Sequence, residues 1–266
     1  MIKYSKTAWE EDAVNYEDRK NAIRAYLGKT VDIVIDRPVG STHPKYPKTV
    51  YKVNYGYVPD TVGGDGEPID VYLLGVNVPV ETYRARVIGI VHRRRDKEDK
   101  LIAAPEGVEL HQAQIEAAVR FAEKYFYHYI ESIYEKSCGA VVYTVKDGAP
   151  HYLLICSRDG YCGFPKGHME LGESERKTAV REVWEETSVR AEIVGDFRRE
   201  TSYPIGRGKR KCVIYFIAKF EDQEPCHNEG FETNDLLLLP FEEAYARLTH
   251  KDAKNILAEA NEIINK

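Results

Sequence analysis

The chain has 266 residues, which is long for a single hydrophobic core and predicts one or two domains. Its 38 basic and 43 acidic side chains give a net charge of -5 at pH 7, so composition offers no electrostatic basis for binding double-stranded nucleic acid or a membrane surface. No apolar run approaches a membrane-spanning length, and Met1 to Lys6 lead into charged residues rather than an apolar signal segment. We therefore expect a cytoplasmic protein.

The first half of the chain is rich in short β-type runs. Residues 1–27 are interpreted as an N-terminal helical extension, because residues 8–27 show a polar helical pattern. Three β-rich runs, 31–35, 71–74 and 87–91, are separated by Gly, Pro and Asp clusters. An amphipathic pattern over residues 109–136 then places apolar side chains at spacings of three and four: Ile115, Val119, Ala122, Phe126, Ile130 and Ile133. This order predicts a small β-barrel with a closing helix as a first domain, at residues 28–136.

Composition changes near residue 137. All five cysteines lie at or beyond Cys138, whereas 13 of the 19 tyrosines precede it. Beyond this boundary the patterns predict strands at 140–144, 152–157, 191–196 and 212–220, a helix at 174–186 and a final helix ending at Ile264. We place a second domain at residues 137–266. The odd number of cysteines and the lack of a Cys-x-x-Cys motif predict reduced thiols, with neither a disulfide framework nor a zinc site.

Three glutamates form the most informative pattern of the chain. Glu182, Glu185 and Glu186 are spaced i, i+3 and i+4 on the predicted helix, so their carboxylates project from one face. Carboxylates this close repel one another unless divalent cations lie among them, and hard cations such as Mg²⁺ bind carboxylates together with substrate phosphates. Such ions offset the charge of a diphosphate and help to generate a nucleophilic water. Arg181, on the same helix, can hold Glu173 with its fork of donors.

Residues 167–189 resemble the Nudix box, with Ser188 in place of the second glycine of that signature. A solvated acidic helix would explain the three glutamates alone, but not the fixed spacing of the whole segment. The resemblance covers residues 137–266 and implies an α/β/α sandwich that hydrolyses diphosphates linked to another group, with Mg²⁺ or Mn²⁺ as cofactor. The metal ligands it implies are Gly167, Glu182, Glu185 and Glu186. The catalytic residues it implies are Glu173, Arg181, Glu182, Glu185, Glu186 and the loop carboxylate Glu229.

The lead-in to this box, residues 163–173, is similar to the form common in asymmetrical diadenosine tetraphosphate hydrolases, and residues 199–203 and 211–216 resemble the same group. This resemblance implies cleavage of diadenosine tetraphosphate to ATP and AMP, with stacking of an adenine on Tyr203. A partly buried strand aromatic is the alternative interpretation of Tyr203. RNA 5′ ends stay open as a substrate, because some messenger-RNA 5′-end hydrolases carry a similar lead-in. The implied substrate-binding residues are Lys166, His168, Tyr203 and Lys211.

The first half contains a second acidic motif. Residues 65–71, with the preceding run 51–59, resemble the metal-binding core of soluble family I inorganic pyrophosphatases, except that Glu67 replaces an aspartate. The resemblance continues over residues 96–100, where an aspartate pair of the family falls on Asp96 and on either Glu98 or Asp99. It implies a barrel fold and a second site, formed by Asp36, Lys45, Tyr55, Asp65, Glu67, Asp70, Asp96 and Lys100.

Two departures leave the activity of this second site open. The segment between Tyr46 and Tyr51 is shorter than in the family and lacks its active-site glutamate and phosphate-binding arginine, and Phe126 stands where the family has a lysine. The alternatives are a weak or specialised pyrophosphatase, a phosphatase with another substrate, and a module that binds pyrophosphate or nucleotides without turnover. Nudix hydrolysis of a nucleoside triphosphate would release pyrophosphate, and a pyrophosphatase in the same chain would hydrolyse it and make the step irreversible. A bifunctional enzyme is therefore a further alternative. The expected partner is a small nucleotide or diphosphate; the sequence predicts no oligomeric state.

Overall fold

The computed structural model of the chain describes residues 17–94, 96–206, 208–227 and 235–266. The chain divides into two units with mixed α and β content. One runs to Tyr134 and also includes Ile205–Lys209; the other consists of Glu135–Pro204 and Arg210–Lys266. Within the described ranges, no helix is both long and apolar enough to cross a membrane.

The first unit is built around a closed five-stranded barrel. Its elements are α1 (17–24), β1 (Thr30–Arg37), β2 (Asn54–Tyr57), β3 (Asp70–Leu73), β4 (Thr82–Arg93), β5 (Lys100–Ala104), α2 (Gln112–Glu123) and β6 (His128–Ser132). The strand order is β1-β2-β3-β5-β4, and the start of β4 pairs with β1 to close the barrel. The β3–β5 pair is parallel, which places the starts of these two strands, Asp70 and Lys100, at the same end of the barrel.

Alternating side chains of the barrel strands enter two apolar clusters, as expected for strands with both faces buried. Val71 and Leu73 belong to a cluster formed among the strands. The intervening residue Tyr72 belongs to a second cluster with Ile115 and Val119 of α2, so this helix covers one face of the barrel. The predicted barrel with a covering helix is therefore confirmed.

The predicted helix over residues 109–136 was wrong beyond Glu123. Helix α2 ends at Glu123, and β6 follows as a strand antiparallel to β4, with Ile130 opposite Val91. The run from His128 to Ile133 contains aromatic and β-branched residues that favour strands. Pairing with β4 also satisfies backbone N–H and C=O groups of both strands, including those on the edge of β4 that β6 covers.

The second unit contains one large sheet. Its elements are β7 (Tyr134–Lys146), β8 (Ala149–Cys156), β9 (Cys162–Gly163), β10 (Lys166–His168), α3 (Glu175–Thr187), β11 (Glu192–Ile193), β12 (Arg199–Gly206), β13 (Lys209–Lys219), β14 (Asp235–Pro240), α4 (Phe241–Arg247) and α5 (Lys251–Ile264). The main strand order is β11-β13-β7-β8-β14, with β10 on β7, β12 on β13 and β9 on β8.

Both faces of this sheet are covered by helices. Val141 and its alternate residue Tyr143 pack in one cluster with Leu257 of α5. The intervening residue Val142 packs in another cluster with Val183 of α3. Because the side chains of a strand alternate between faces, α3 and α5 lie on opposite sides of the sheet. The predicted α/β/α sandwich is confirmed, and with it the α+β class of the chain.

The prediction of five reduced thiols was wrong for one pair. Cys156 at the end of β8 lies opposite Cys162 in β9, and the two sulfurs are bonded. The pairing of these strands brings the two Cβ atoms together, which a count of cysteines does not reveal. Cys138, Cys212 and Cys226 are free thiols, in agreement with the prediction for these three.

Candidate active sites

Helix α3 begins and ends with defined caps. The Ser174 hydroxyl accepts a hydrogen bond from the backbone N–H of Lys177, an N-cap that satisfies one of the free donors of the first turn. The helix ends at Ser188, whose φ of 57° lies in the left-handed region. Glycine reaches this region without a Cβ penalty, which explains the glycine that the Nudix box places here. Ser188 keeps the geometry of that helix end at a conformational cost.

We expect Ser188→Gly to stabilise the second unit, because a non-glycine residue in the left-handed region costs about 1 kcal/mol or more. The melting temperature should rise by a few degrees, while hydrolytic activity stays at the wild-type level. Differential scanning calorimetry of the two proteins measures this shift. An unchanged or lower melting temperature would contradict this account of the helix end.

Arg181 organises the acidic side chains around α3. Its Nε and Nη2 atoms donate to the two oxygens of Glu173 at 2.8 and 2.9 Å, and Nη1 donates to Glu182 at 2.7 Å and Glu185 at 3.0 Å. Nη2 also donates to the His168 carbonyl at 2.8 Å. These hydrogen bonds lower the pKa of Glu173 to about 2. One guanidinium therefore joins the box loop to the carboxylate face of the helix.

Glu182 and Glu186 face the strand β10. The Glu182 side chain lies so close to Gly167 that a Cβ there would come within 1.9 Å of its Oε2 atom. Glu186 accepts a hydrogen bond from the backbone N–H of Lys166 at 2.8 Å. Burial raises the pKa of Glu186 to about 7, with further contributions from the nearby Glu182 and Glu185 charges; burial also raises the pKa of Glu182.

Of the predicted substrate-binding side chains, Lys166 and Lys211 lie near this carboxylate pair. Burial lowers the pKa of Lys211, and the neighbouring ammonium of Lys166 lowers it further, so the two cations lie near each other. Tyr203 is exposed, and its pKa is raised by partial burial and by nearby Tyr161. The His168 ring lies 3.2 Å from the Glu135 carboxylate. Glu229, the predicted loop carboxylate, lies outside the described residues.

A second cluster of polar groups lines a cavity of about 1040 Å³ in the first unit. It brings together six of the eight residues predicted for this site: Asp36, Tyr55, Asp65, Glu67, Asp70 and Lys100. The Lys100 ammonium donates to Asp70 at 2.6 Å and to the Tyr55 hydroxyl at 2.7 Å, and that hydroxyl donates to Asp70. Burial alone would raise the pKa of Asp70, but the Lys100 charge and the hydrogen bonds with Glu98, Lys100 and Tyr55 together outweigh burial and lower the pKa.

The other two predicted residues lie elsewhere. Lys45 is exposed, and in the described part of the chain Lys48 rather than Lys45 lines the cavity. Asp96 forms an ion pair with Arg93 at 3.1 Å. Of the two candidates for its acidic partner, Glu98 faces the cavity and contacts Lys100 at 2.9 Å. Asp99 instead accepts from the Arg93 backbone N–H at 2.8 Å.

Comparison with known families decides the identity of both units. A model of the inorganic pyrophosphatase family matches residues 14–147, half of the chain, and a model of the NUDIX domain matches residues 134–260. The chain belongs to the inorganic pyrophosphatase family and carries a Nudix domain. Both families support a hydrolase that acts on phosphoanhydrides.

Individual relatives match one domain each. The chain is 31% identical over 140 residues to the asymmetrical bis(5'-nucleosyl)-tetraphosphatase of Mus musculus, a match that covers 48% of the chain and 95% of that protein. It is 29% identical over 147 residues to a MutT4 protein of Mycobacterium tuberculosis, covering 52% of the chain and 58% of that protein. It is 42% identical over 64 residues to an inorganic pyrophosphatase of Saccharolobus solfataricus, covering 23% of the chain and 37% of that protein. The chain therefore spans little more than half of the second relative and about a third of the third.

The Nudix domain offers a donor set that suits a hard divalent cation. Glu182 and Glu186 present carboxylates whose pKa values are raised, beside the backbone of Lys166 and Gly167. A cation between them would favour the ionised carboxylates, which burial and, to a smaller extent, mutual repulsion disfavour. Within the described ranges, no group of three or more His, Cys, Asp or Glu side chains is arranged to hold a metal. Arg181 donates to both Glu182 and Glu185. Two carboxylates and a backbone carbonyl therefore form the candidate metal site.

We expect Gly167→Ala to reduce hydrolysis by the Nudix domain by about 100-fold, since small displacements of catalytic groups have effects of this size. The added Cβ would displace the Glu182 carboxylate, whereas the backbone at Gly167 does not lie in the left-handed region and accommodates alanine. Steady-state kinetics measure the loss, and circular dichroism checks that the fold is retained. Wild-type kinetics in a folded variant would contradict the role of this close approach.

The raised pKa of Glu186 predicts a pH-dependent stability of the metal-free protein. Its folded pKa of about 7 exceeds the ordinary value of 4.5, so its contribution is fully present below pH 4.5 and is lost as the pH rises through 7. The melting temperature of the wild type relative to Glu186→Gln should therefore fall between pH 5 and pH 8. Mg²⁺ should reduce this difference, because it stabilises the ionised form. Calorimetry with chelator and with Mg²⁺ measures it; a difference independent of pH would contradict the shifted pKa.

Sequence reasoning missed three residues that the structure places at these sites. Tyr161 neighbours both Glu186 and Tyr203, and Glu135 contacts His168. Glu135 is distant in sequence from the Nudix box, and Tyr161 lies just before it but outside its fixed spacing, so the motif carries no signal for either residue. Arg93, at the end of β4, lines the pyrophosphatase-like cavity. The sequence signal for this role is its position just before the acidic residues of the segment 96–99.

Proposed function

We propose that the Nudix domain hydrolyses nucleoside polyphosphates with Mg²⁺, and that dinucleoside tetraphosphates are its substrate class, with diadenosine tetraphosphate cleaved to ATP and AMP. The observation that carries the proposal is the carboxylate face of α3, joined by Arg181 to the box loop and flanked by two lysines. The tetraphosphatase of Mus musculus, which the chain resembles over nearly the whole of that protein, supports the substrate class.

In this proposal the residues of the domain divide the work. Glu182, Glu186 and the Gly167 carbonyl hold the cation, while Glu185 and Glu229 assist the metal or the attacking water. Bound Mg²⁺ offsets phosphate charge and helps to generate a nucleophilic water. The hydrogen bonds from Arg181 to Glu173 fix the position of the box loop relative to helix α3.

The flanking side chains bind the rest of the substrate. The ammonium groups of Lys166 and Lys211 face the phosphate chain, where their mutual proximity favours an anionic ligand. Tyr203 provides a face for the adenine ring, and neighbouring Tyr161 extends this aromatic surface. His168, on β10 beside Glu135, lies at the edge of the same site.

A second activity, hydrolysis of inorganic pyrophosphate, is favoured by the barrel cavity. Asp70, Tyr55 and Lys100 form a hydrogen-bonded group on the wall of a cavity that Asp36, Asp65 and Glu67 also line. Lys100 would neutralise a phosphate, and the carboxylates would hold cations. A domain that binds pyrophosphate or a nucleotide without turnover is the alternative. We infer a cytoplasmic protein that acts on small molecules.

Product analysis separates these functions. Wild type, Glu186→Gln and Asp70→Asn are each incubated in Mg²⁺ with diadenosine tetraphosphate, nucleoside triphosphates or pyrophosphate, and the products are resolved by chromatography. ATP and AMP formed by the wild type and Asp70→Asn, but not by Glu186→Gln, support the proposal. Phosphate released from pyrophosphate and lost only in Asp70→Asn establishes a bifunctional enzyme. The absence of ATP and AMP with the wild type would refute the substrate proposed for the Nudix domain.

A further inference from the structure

Arg93 places a fixed positive charge among the acidic residues of the barrel cavity. Its Nη1 atom donates to Glu98 at 2.9 Å and to Asp96 at 3.1 Å, and the residue is only 4% exposed. Asp96 is one of the carboxylates for which the sequence predicts a metal, and Glu98 is one of the two candidates for its acidic partner. Both carboxylates are therefore already paired with a cationic side chain of the protein.

The position of this guanidinium is set by three further groups, Glu123, Tyr72 and Phe126. Nε and Nη2 donate to the two oxygens of Glu123 at 2.8 and 2.9 Å, and Glu123 is fully buried. The Tyr72 hydroxyl donates to the same carboxylate at 2.5 Å. On its flat face, the guanidinium lies 3.5 Å from the centre of the Phe126 ring. The bidentate pair with Glu123 and the contact with the Phe126 ring fix the orientation of the guanidinium. It therefore cannot rotate away when a cation approaches Asp96 and Glu98.

Charge disfavours a divalent cation at this corner. A cation bound by Asp96 and Glu98 would lie within a few ångströms of Nη1, and like charges at that distance repel. The Lys100 ammonium adds a second positive group, 2.9 Å from Glu98. These residues therefore do not fit a metal ion, whereas Asp65 and Glu67 line the cavity at a different place.

We propose that Arg93 acts as a built-in cation in place of a divalent ion at the Asp96 and Glu98 corner, so that the barrel holds fewer metal ions than its acidic residues would otherwise bind. Phe126, which stands where the pyrophosphatase family has a lysine, provides the aromatic surface that supports this guanidinium. The inference goes beyond the proposed hydrolysis by the Nudix domain and does not depend on it.

Counting bound Mn²⁺ tests the proposal without relying on activity. The metal-free full-length protein is titrated with Mn²⁺, and the free ion is followed by its electron paramagnetic resonance signal. Because Asp96 pairs with the Arg93 guanidinium and not with a metal ion, Asp96→Asn should bind the same number of Mn²⁺ ions as the wild type. Loss of one ion in Asp96→Asn would overturn the proposal. This isosteric change affects a partly exposed side chain, so it leaves the fold intact.

A double variant provides the complementary result. The double variant Arg93→Met, Glu123→Gln removes the guanidinium and the buried negative charge together. The new amide is neutral and needs no cation, and its oxygen can still accept the hydrogen bond from the Tyr72 hydroxyl. This variant should bind one Mn²⁺ more per chain, and adding Glu98→Gln should abolish the extra ion. An unchanged count in the folded double variant, or an extra ion that persists without Glu98, would overturn the proposal. Every protein compared has the same Nudix domain, so the Mn²⁺ ions bound by that domain do not contribute to the differences in the number of bound ions.

Discussion

Glu186→Gln should lower the turnover of diadenosine tetraphosphate by about 1000-fold or more, because it removes a carboxylate that holds the cation, and that cation helps to generate the attacking water. The amide removes the negative charge that would hold the cation beside Gly167. Its oxygen still accepts the hydrogen bond that the Lys166 backbone N–H donates at 2.8 Å, so the fold should be retained. Rates of ATP and AMP formation at saturating substrate measure the loss.

The same substitution should increase the stability of the metal-free protein above pH 7. Burial raises the pKa of Glu186 to about 7, so ionising this group in the folded state costs free energy that a neutral amide does not. A loss of activity together with a gain of stability distinguishes a metal-binding role from general damage. Glu192→Gln, on an exposed position of β11, is the matched control and should leave both quantities unchanged. Turnover by Glu186→Gln within tenfold of the wild type would refute the assignment.

Local spacing accounts for the parts of the fold and site that could be predicted from sequence. The i, i+3, i+4 pattern of α3 fixes the common face of Glu182, Glu185 and Glu186, because neighbours on a helix are set by its pitch alone. Strands such as β7 and β8 contain long apolar runs that stay buried on both faces. The contact of the Lys166 backbone N–H with Glu186 instead joins β10 to α3, and such packing between elements is not encoded in any single segment.

The helix predicted over residues 109–136 shows how tertiary pairing overrides spacing. Ile130 and Ile133 continue the apolar positions of α2 at intervals of three and four, yet both are buried beside strands of the barrel. The same two residues suit a strand that pairs with β4, and the extended form gains hydrogen bonds to that strand. The spacing of apolar residues could not distinguish a helix from a strand here. The strand forms because β4 offers an edge to pair with, and that edge exists only in the folded barrel.

The choice between Glu98 and Asp99 was open in the sequence for a similar reason. The two residues immediately precede β5, where one step along the chain reverses the direction of a side chain. Asp99 points to His92 and the backbone of Arg93, whereas Glu98 points to Lys100 and the cavity. The register of β5 against β4 decides between them, and that register depends on the whole barrel.

Arg93→Met should destabilise the barrel by about 3–5 kcal/mol, the usual effect of removing one partner of a buried ion pair. Arg93 is 4% exposed and Glu123 is fully buried, so the substitution leaves a carboxylate with no cation beside it and only the Tyr72 hydroxyl as a donor among the side-chain contacts described above. Hydrogen exchange of peptides from β4 and β5, measured by mass spectrometry, reports this stability for the barrel separately from the Nudix domain.

Two further variants make the result specific to the buried charge. Adding Glu123→Gln should restore most of the lost stability, because the remaining amide is neutral and keeps its bond from Tyr72. Arg84→Met is the matched control: Arg84 pairs with Asp32 at 3.3 Å on the surface of the same barrel, with both side chains more than 70% exposed. Surface pairs contribute at most about 1 kcal/mol, so this variant should exchange almost as slowly as the wild type. Equal exchange rates in Arg93→Met and Arg84→Met would show that the Arg93–Glu123 pair does not stabilise the barrel, and would remove the anchor that holds the guanidinium among the acidic residues of the cavity.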